Sequence, residues 1–116
     1  MTKKQDIKNK LVLLMNNFGL PERTIKELLE YFKTKDNIEK VCIYGSRAKG
    51  TYHNGSDIDF AVWFKNSDET VFRVAGELDD LPTPYKFDVI NYKTLTHDGM
   101  KNSIDKDGIL FYQKEN

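Results

Sequence analysis

Two aspartates, Asp57 and Asp59, stand in the segment GSRAKGTYHNGSDIDF, residues 45–60, with one apolar residue between them. Residues two apart on a β-strand project from the same face, so a strand here would place the two carboxylates side by side. Close carboxylates repel each other unless a cation lies between them. Magnesium prefers hard oxygen ligands and often completes its shell with water and substrate phosphates. The pattern predicts a magnesium site, and the alternative is a solvated start of a strand.

The beginning of the same segment has small and basic residues that favour phosphate binding. Gly45 follows an apolar run and allows the backbone to turn close to a ligand. Ser46 is predicted to cap a short helix that begins at Arg47 and ends at Gly50, and free N–H groups at a helix start bind phosphate. Arg47 and Lys49 are either phosphate contacts or solvated turn charges. A phosphate cradle next to a metal site is what a nucleoside triphosphate requires.

A third aspartate, Asp88, lies in the predicted strand YKFDVINY, residues 85–92. Alternation along this strand sends Phe87 and Val89 to one face and Asp88 to the other. If the strand pairs beside DIDFAVWF, Asp88 joins the other two carboxylates. Three carboxylates on neighbouring strands can hold two metals, which together promote in-line displacement at phosphorus.

Length and composition limit what the rest of the chain can be. Its 116 residues suit one domain over 1–116. The formal net charge is zero, which predicts no strong binding of nucleic acid. The single cysteine, Cys42, excludes an internal disulfide and is expected to be a core residue. No membrane segment or signal peptide is apparent, so we expect a cytoplasmic protein.

Hydrophobic periodicity predicts helices and strands in alternation. The domain is expected to be α+β, or α/β with a mixed sheet, and to begin with two helices. The predicted helices are residues 4–18, 21–32, 67–81 (capped by Ser67 or Asp68) and 96–108. The predicted strands are 38–45, 57–64 and 85–92, and residues 109–113 are expected to be a last short strand or a packed tail.

The combined motif resembles the nucleotidyltransferase superfamily related to DNA polymerase beta. That superfamily has a Gly-Ser pair, a spacer, Asp-x-Asp and a later aspartate, here Gly45-Ser46, Asp57-Ile58-Asp59 and Asp88. The segment GSRAKG…SDIDFAV is most similar to the minimal nucleotidyltransferases, the MNT or MntA-like antitoxins of prokaryotes. The similarity is strong over residues 38–92. Lys49 stands where an arginine is frequent in that group.

This resemblance implies a small mixed β-sheet flanked by helices and a function in a toxin–antitoxin system. Characterised members transfer AMP from ATP to a tyrosine of a HEPN-domain RNase toxin and so block it. For this chain, the implied ligands of two Mg²⁺ ions are Asp57, Asp59 and Asp88. The implied nucleotide contacts are Gly45, Ser46 and Arg47.

Two other functions stay open from the sequence alone. The chain could inhibit its partner by binding without catalysis, although binding by itself does not require the intact set of aspartates. It could also modify a small molecule or an RNA hydroxyl, although the larger relatives that do so usually add a second domain for the acceptor.

Overall fold

Four strands and four helices alternate along the chain in the computed structural model, which describes residues 17–66 and 71–115. Most of the predicted helix 4–18 lies outside these ranges, as do the predicted caps Ser67 and Asp68. At the described end of that predicted helix, Phe18 is in a turn and is not helical. The elements are α1 (Glu22–Lys33), β1 (Ile38–Tyr44), α2 (Gly45–Lys49), β2 (Ile58–Phe64), α3 (Val71–Asp79), β3 (Phe87–Asn91), a 3₁₀ turn (Tyr92–Thr94), α4 (Asp98–Asp107) and β4 (Ile109–Gln113).

The strands form one mixed sheet in the order β3-β2-β1-β4. Strand β1 is antiparallel to both β2 and β4, whereas β2 and β3 are parallel. The predicted mixed sheet is therefore confirmed, as is the pairing of the Asp88 strand beside β2. Among the described helices, none is both long and apolar enough to cross a membrane.

The larger core lies between one face of the sheet and helices α1 and α3. Strand β2 is central, and Ile58, Phe60 and Val62 on this face are fully buried. They pack with Phe32 of α1 and Leu78 of α3, which are also fully buried. Full burial of one such side chain contributes about 1.5–3 kcal/mol, so this face supplies most of the hydrophobic stabilisation.

The opposite face of the sheet has a smaller core beneath helix α4. Tyr44, Ala61 and Ile104 form its buried centre. Helix α4 begins after His97, whose Nδ1 accepts a hydrogen bond of 3.0 Å from the backbone N–H of Met100. This capping bond fixes the start of α4, and the helix covers only part of the sheet face.

Arg47 in the short helix α2 is buried, with 1% of its surface exposed. Its Nη1 donates to the carbonyl of Phe18 at 2.9 Å and its Nη2 donates to the carbonyl of Ser56 at 2.9 Å. The guanidinium carbon lies 5.3 Å from the ring centre of Tyr52 and 5.2 Å from that of Tyr85, within the range of cation–π attraction. Arg47 thus joins the turn before α1, the loop after α2 and the loop before β3.

Gly19, before α1, leaves room for the Tyr52 ring to pack beside Arg47. Gly19 has φ +71°, and a Cβ atom there would lie 2.2 Å from the Tyr52 ring. Tyr52 therefore packs directly against the glycine backbone while its ring faces Arg47. A larger residue at position 19 would displace the ring.

We expect Arg47→Lys to lower the free energy of unfolding by about 3 kcal/mol. A lysine keeps the positive charge but cannot donate in two directions from a planar group, so buried carbonyls lose their partners. Urea denaturation at neutral pH measures the change.

The matched control is Lys49→Met, two residues along the same helix, because Lys49 is exposed. An exposed substitution of this kind should change stability by no more than about 0.5 kcal/mol. Equal stability of Arg47→Lys and the wild type would contradict the role assigned to the buried guanidinium.

Candidate active site

Two of the three predicted aspartates lie in one row across the sheet. Asp59 on β2 is directly opposite Asp88 on the parallel strand β3. On its other side, Asp59 is directly opposite Tyr44 on β1. Residues directly opposite each other share a face, so Tyr44, Asp59 and Asp88 all project to the side of the sheet that carries the smaller core. Asp57 is exposed and immediately precedes β2.

Gly45 is in close contact with Asp59. It has φ +73°, and a Cβ atom at this position would lie 2.3 Å from Oδ2 of Asp59. Only a residue without a side chain can combine this left-handed backbone with the close approach of a carboxylate. The Gly-Ser turn and the aspartate strand therefore meet at this contact.

The short helix α2 differs from the sequence prediction at its first residue. Ser46 was predicted to cap a helix beginning at Arg47, but the helix begins at Gly45, and the cap position is Tyr44, which has no side-chain capping bond. The prediction was wrong because Gly45 turns the chain directly from β1 into the helix, which places Ser46 inside the first turn. The predicted end is confirmed, since Gly50 follows Lys49 in a left-handed conformation with φ +81°.

Burial and the neighbouring carboxylates raise the proton affinity of Asp59. Burial is the main cause that raises the pKa of Asp59 from its ordinary 3.8 to about 6, and the charges of Asp88 and Asp57 raise it further. Arg47 opposes this shift by its positive charge. Burial also raises the pKa of the Tyr44 phenol, again with a contribution from Asp88 and Asp59. The site therefore concentrates negative charge that an added cation would stabilise.

The donor chemistry at this row fits magnesium with an incomplete protein shell. Within residues 17–66 and 71–115, no group of three or more Asp, Glu, His or Cys side chains is arranged to hold a metal ion. Magnesium commonly takes only one or two carboxylates and completes its shell with water and phosphates. Asp59 and Asp88, adjacent in register, with Asp57 close enough to influence Asp59, match that pattern.

The other predicted site residues separate into buried and exposed groups. Arg47 contacts backbone carbonyls and aromatic rings, and its charge acts on Asp59 from within the fold. Lys49 is exposed, and so is His53 in the loop after α2. A cavity of about 380 Å³, lined in part by Lys40 and Trp63, lies at the opposite end of strands β1 and β2 from the aspartates. The carboxylate row is not part of that cavity.

Tyr44 is the residue at this site that sequence analysis missed. It directly precedes Gly45, and an antiparallel pairing of the two predicted strands would have placed it near Asp59. The position of Tyr44 beside Asp59 follows from the register of the two strands, which the sequence alone does not reveal.

A family model described as Polymerase beta, Nucleotidyltransferase matches residues 26–116. The chain belongs to this nucleotidyltransferase family. The matched region contains Gly45, Ser46 and all three aspartates, so the family assignment and the geometry concern the same part of the molecule. Among curated proteins, none matches the sequence.

Three solved structures have a similar fold. A crystal structure of a toxin–antitoxin with AMP-PNP has a TM-score of 0.57 and 20% identity, over 83% of this chain and 76% of that one. A crystal structure of the toxin–antitoxin MntA–HepT has a TM-score of 0.61 and 11% identity, over 81% and 74%. A tri-AMPylated Shewanella oneidensis HEPN toxin in complex with its MNT antitoxin has a TM-score of 0.60 and 11% identity, over 80% and 72%. At these identities the likeness concerns the fold.

In this nucleotidyltransferase-family chain, we expect Gly45→Ala to destabilise the protein more than Gly50→Ala. Both glycines have positive φ, and a Cβ in the left-handed region costs about 1–2 kcal/mol. No atom lies within 4 Å of a Cβ at Gly50, whereas Oδ2 of Asp59 blocks a Cβ at Gly45. Urea denaturation of the two variants measures the difference.

The Asp59→Ala background tests whether the carboxylate causes that difference. In this background, the cost of Gly45→Ala should fall to that of Gly50→Ala, because the blocking oxygen has been removed. Equal costs of Gly45→Ala in both backgrounds would contradict the contact.

We also expect Asp59→Asn to stabilise the metal-free protein at pH 8 by about 1 kcal/mol, a value reduced for partial exposure. The folded-state pKa of Asp59, about 6, lies above its ordinary 3.8. Its contribution to stability is therefore complete below about pH 4 and is lost as the pH rises through 6.

Urea denaturation in EDTA at pH 4 and pH 8 measures this effect, and the advantage of the variant should be confined to pH 8. Asp80→Asn is the control, because Asp80 is exposed, follows α3 and is on none of the strands that carry the row. An Asp59→Asn variant that is less stable than wild type at pH 8 would contradict the prediction.

Proposed function

We propose that this protein transfers AMP from ATP to a tyrosine hydroxyl of a HEPN-domain toxin and thereby neutralises it. The observation that carries the proposal is the row in which Asp59 faces Asp88 directly beside the Gly45-Ser46 turn. Membership of the polymerase beta nucleotidyltransferase family supports the reaction class. The proposal treats residues 1–116 as one minimal nucleotidyltransferase domain.

The choice of acceptor is supported by the proteins that share the fold. They include a toxin–antitoxin with AMP-PNP and a complex that contains a tri-AMPylated HEPN toxin. The position of Asp88 is consistent with an acceptor on another protein, because this side chain is exposed on β3, an edge strand of the described sheet. A tyrosine carried by a partner could approach it without entering a deep pocket.

In the proposed reaction, each part of the row has its own task. The backbone at Gly45 and the Ser46 hydroxyl would contact the β- and γ-phosphates of ATP. Asp57, Asp59 and Asp88 would hold magnesium, with two ions expected, and bound magnesium would neutralise phosphate charge and favour ionisation of the acceptor. The contact with Gly45 holds the Asp59 carboxylate beside the phosphate turn.

The transfer itself forms one phosphorus–oxygen bond and breaks another. The acceptor oxygen attacks the α-phosphorus, and pyrophosphate leaves with the electron pair of the broken bond. The proton of the acceptor hydroxyl passes to the Asp88 carboxylate, directly or through water. Arg47, predicted from the resemblance to contact the nucleotide, is buried and donates to the carbonyls of Phe18 and Ser56, so we assign it to holding the loops beside the site. Its positive charge partly offsets the rise in the pKa of Asp59.

The test is incubation of the purified protein with ATP, magnesium and a HEPN-domain toxin. Mass spectrometry of the partner should show the added mass of AMP on a tyrosine, and its RNase activity should stay low after the antitoxin is removed. Asp57→Asn/Asp59→Asn should reduce the labelling rate at least about a hundredfold, whereas Asp80→Asn should label at the wild-type rate.

The alternatives predict different outcomes of the same experiment. Inhibition that needs no ATP and ends when the antitoxin is removed would replace the proposal with neutralisation by binding alone. An unmodified partner together with AMP transfer to an added RNA or small molecule would replace it with a different acceptor. Equal labelling by wild type and by the double variant would exclude these aspartates as the catalytic groups.

A further inference from the structure

The hydroxyl of Tyr44 has no hydrogen-bond partner among the described residues, although it is buried. The Tyr44 side chain is only 7% exposed. A buried hydroxyl without a partner costs about 1–3 kcal/mol, and native proteins seldom leave such a group unpaired. Phenylalanine would fill the same space without that cost. Within the part of the chain that the structure describes, packing alone does not account for this hydroxyl.

The surroundings of Tyr44 limit what the hydroxyl can bond to. Its buried neighbours on this face, Ala61 and Ile104, are apolar. Acceptors on the same face include the carboxylates of Asp59, directly opposite on β2, and of Asp88, one strand further. Both carboxylates act electrostatically on the phenol, so they are near it. A phenol has an ordinary pKa near 10 and is a hydrogen-bond donor at neutral pH.

We propose that Tyr44 is a positioning residue whose hydroxyl donates a hydrogen bond to Asp59 or Asp88 when those carboxylates hold a divalent cation. The inference rests on the proposed function, because it assumes that the row binds magnesium. Without a cation, the like charges of the carboxylates repel one another. A bound cation would offset that repulsion, and carboxylates that bind metal are usually fixed by a further hydrogen bond. The unpaired hydroxyl is already in place to provide that bond.

The experiment compares wild type with Tyr44→Phe by thermal unfolding, with no measurement of activity. Each protein is first unfolded in EDTA and then titrated with Mg²⁺ at a fixed concentration of a non-hydrolysable ATP analogue. In EDTA, Tyr44→Phe should be at least as stable as wild type, because it loses only an unpaired hydroxyl. Its Mg²⁺ midpoint should be about tenfold higher, the usual effect of removing a group that supports a metal ligand.

Tyr112→Phe is the matched control. Tyr112 is also 7% exposed, but it belongs to the larger core on the other face of the sheet. Its Mg²⁺ midpoint should equal that of wild type. A general effect of removing the hydroxyl from a buried tyrosine would change both variants, and a positioning role changes Tyr44→Phe alone.

Two results would overturn the inference while the proposed function stands. One is a Tyr44→Phe midpoint equal to that of wild type. The other is a Tyr44→Phe variant that is clearly less stable in EDTA, because the hydroxyl would then have a partner in the free protein. A wild-type protein that does not respond to Mg²⁺ and the analogue would overturn the metal site itself, and the inference with it.

Discussion

The buried guanidinium of Arg47 is the interaction on which the arrangement of the loops depends. Burying a cation in a protein costs free energy unless its hydrogen-bond donors are satisfied. The Arg47 guanidinium donates to the carbonyls of Phe18 and Ser56 and lies between two aromatic rings. These partners lie in separate loops, so satisfying one side chain fixes three connections at once. The Gly-Ser turn that contains Arg47 is thereby held at the end of β1, where the aspartate strand passes. An exposed phosphate-binding arginine could not have this structural effect.

The two faces of the sheet divide stability and chemistry between them. Apolar side chains of β2, packed beneath α1 and α3, make up the larger core. The other face bears the row of Tyr44, Asp59 and Asp88, in which burial and mutual repulsion raise the pKa of Asp59. Such a row disfavours folding when no cation is present, and the larger core on the opposite face offsets this cost. The central position of β2 makes the division possible because its alternate residues serve the two faces.

Much of this organisation could be predicted from the sequence, and the remainder depended on register and tertiary contacts. Runs of apolar, β-branched and aromatic residues predicted three of the four strands and left the fourth as a strand or a packed tail. Alternation placed Asp88 on the face opposite to Val89. The start of α2 was predicted wrongly, because a capping pattern does not reveal that Gly45 already turns the chain into the helix. The burial of Arg47 could not be predicted, since its partners are carbonyls and rings distant in the sequence. Tyr44 was missed because its importance arises from pairing with Asp59 across two strands.

The contact between Gly45 and Asp59 has a consequence for how sequences of this kind can diverge. The space that a Cβ of Gly45 would occupy is already filled by a carboxylate oxygen of Asp59. Replacing Gly45 by a larger residue would displace the Asp59 carboxylate from its present position. A homologue that has already lost the aspartate would no longer need a glycine for this contact. The two positions, fourteen apart by their numbers in the sequence, are therefore under one shared constraint and are expected to be retained or abandoned together.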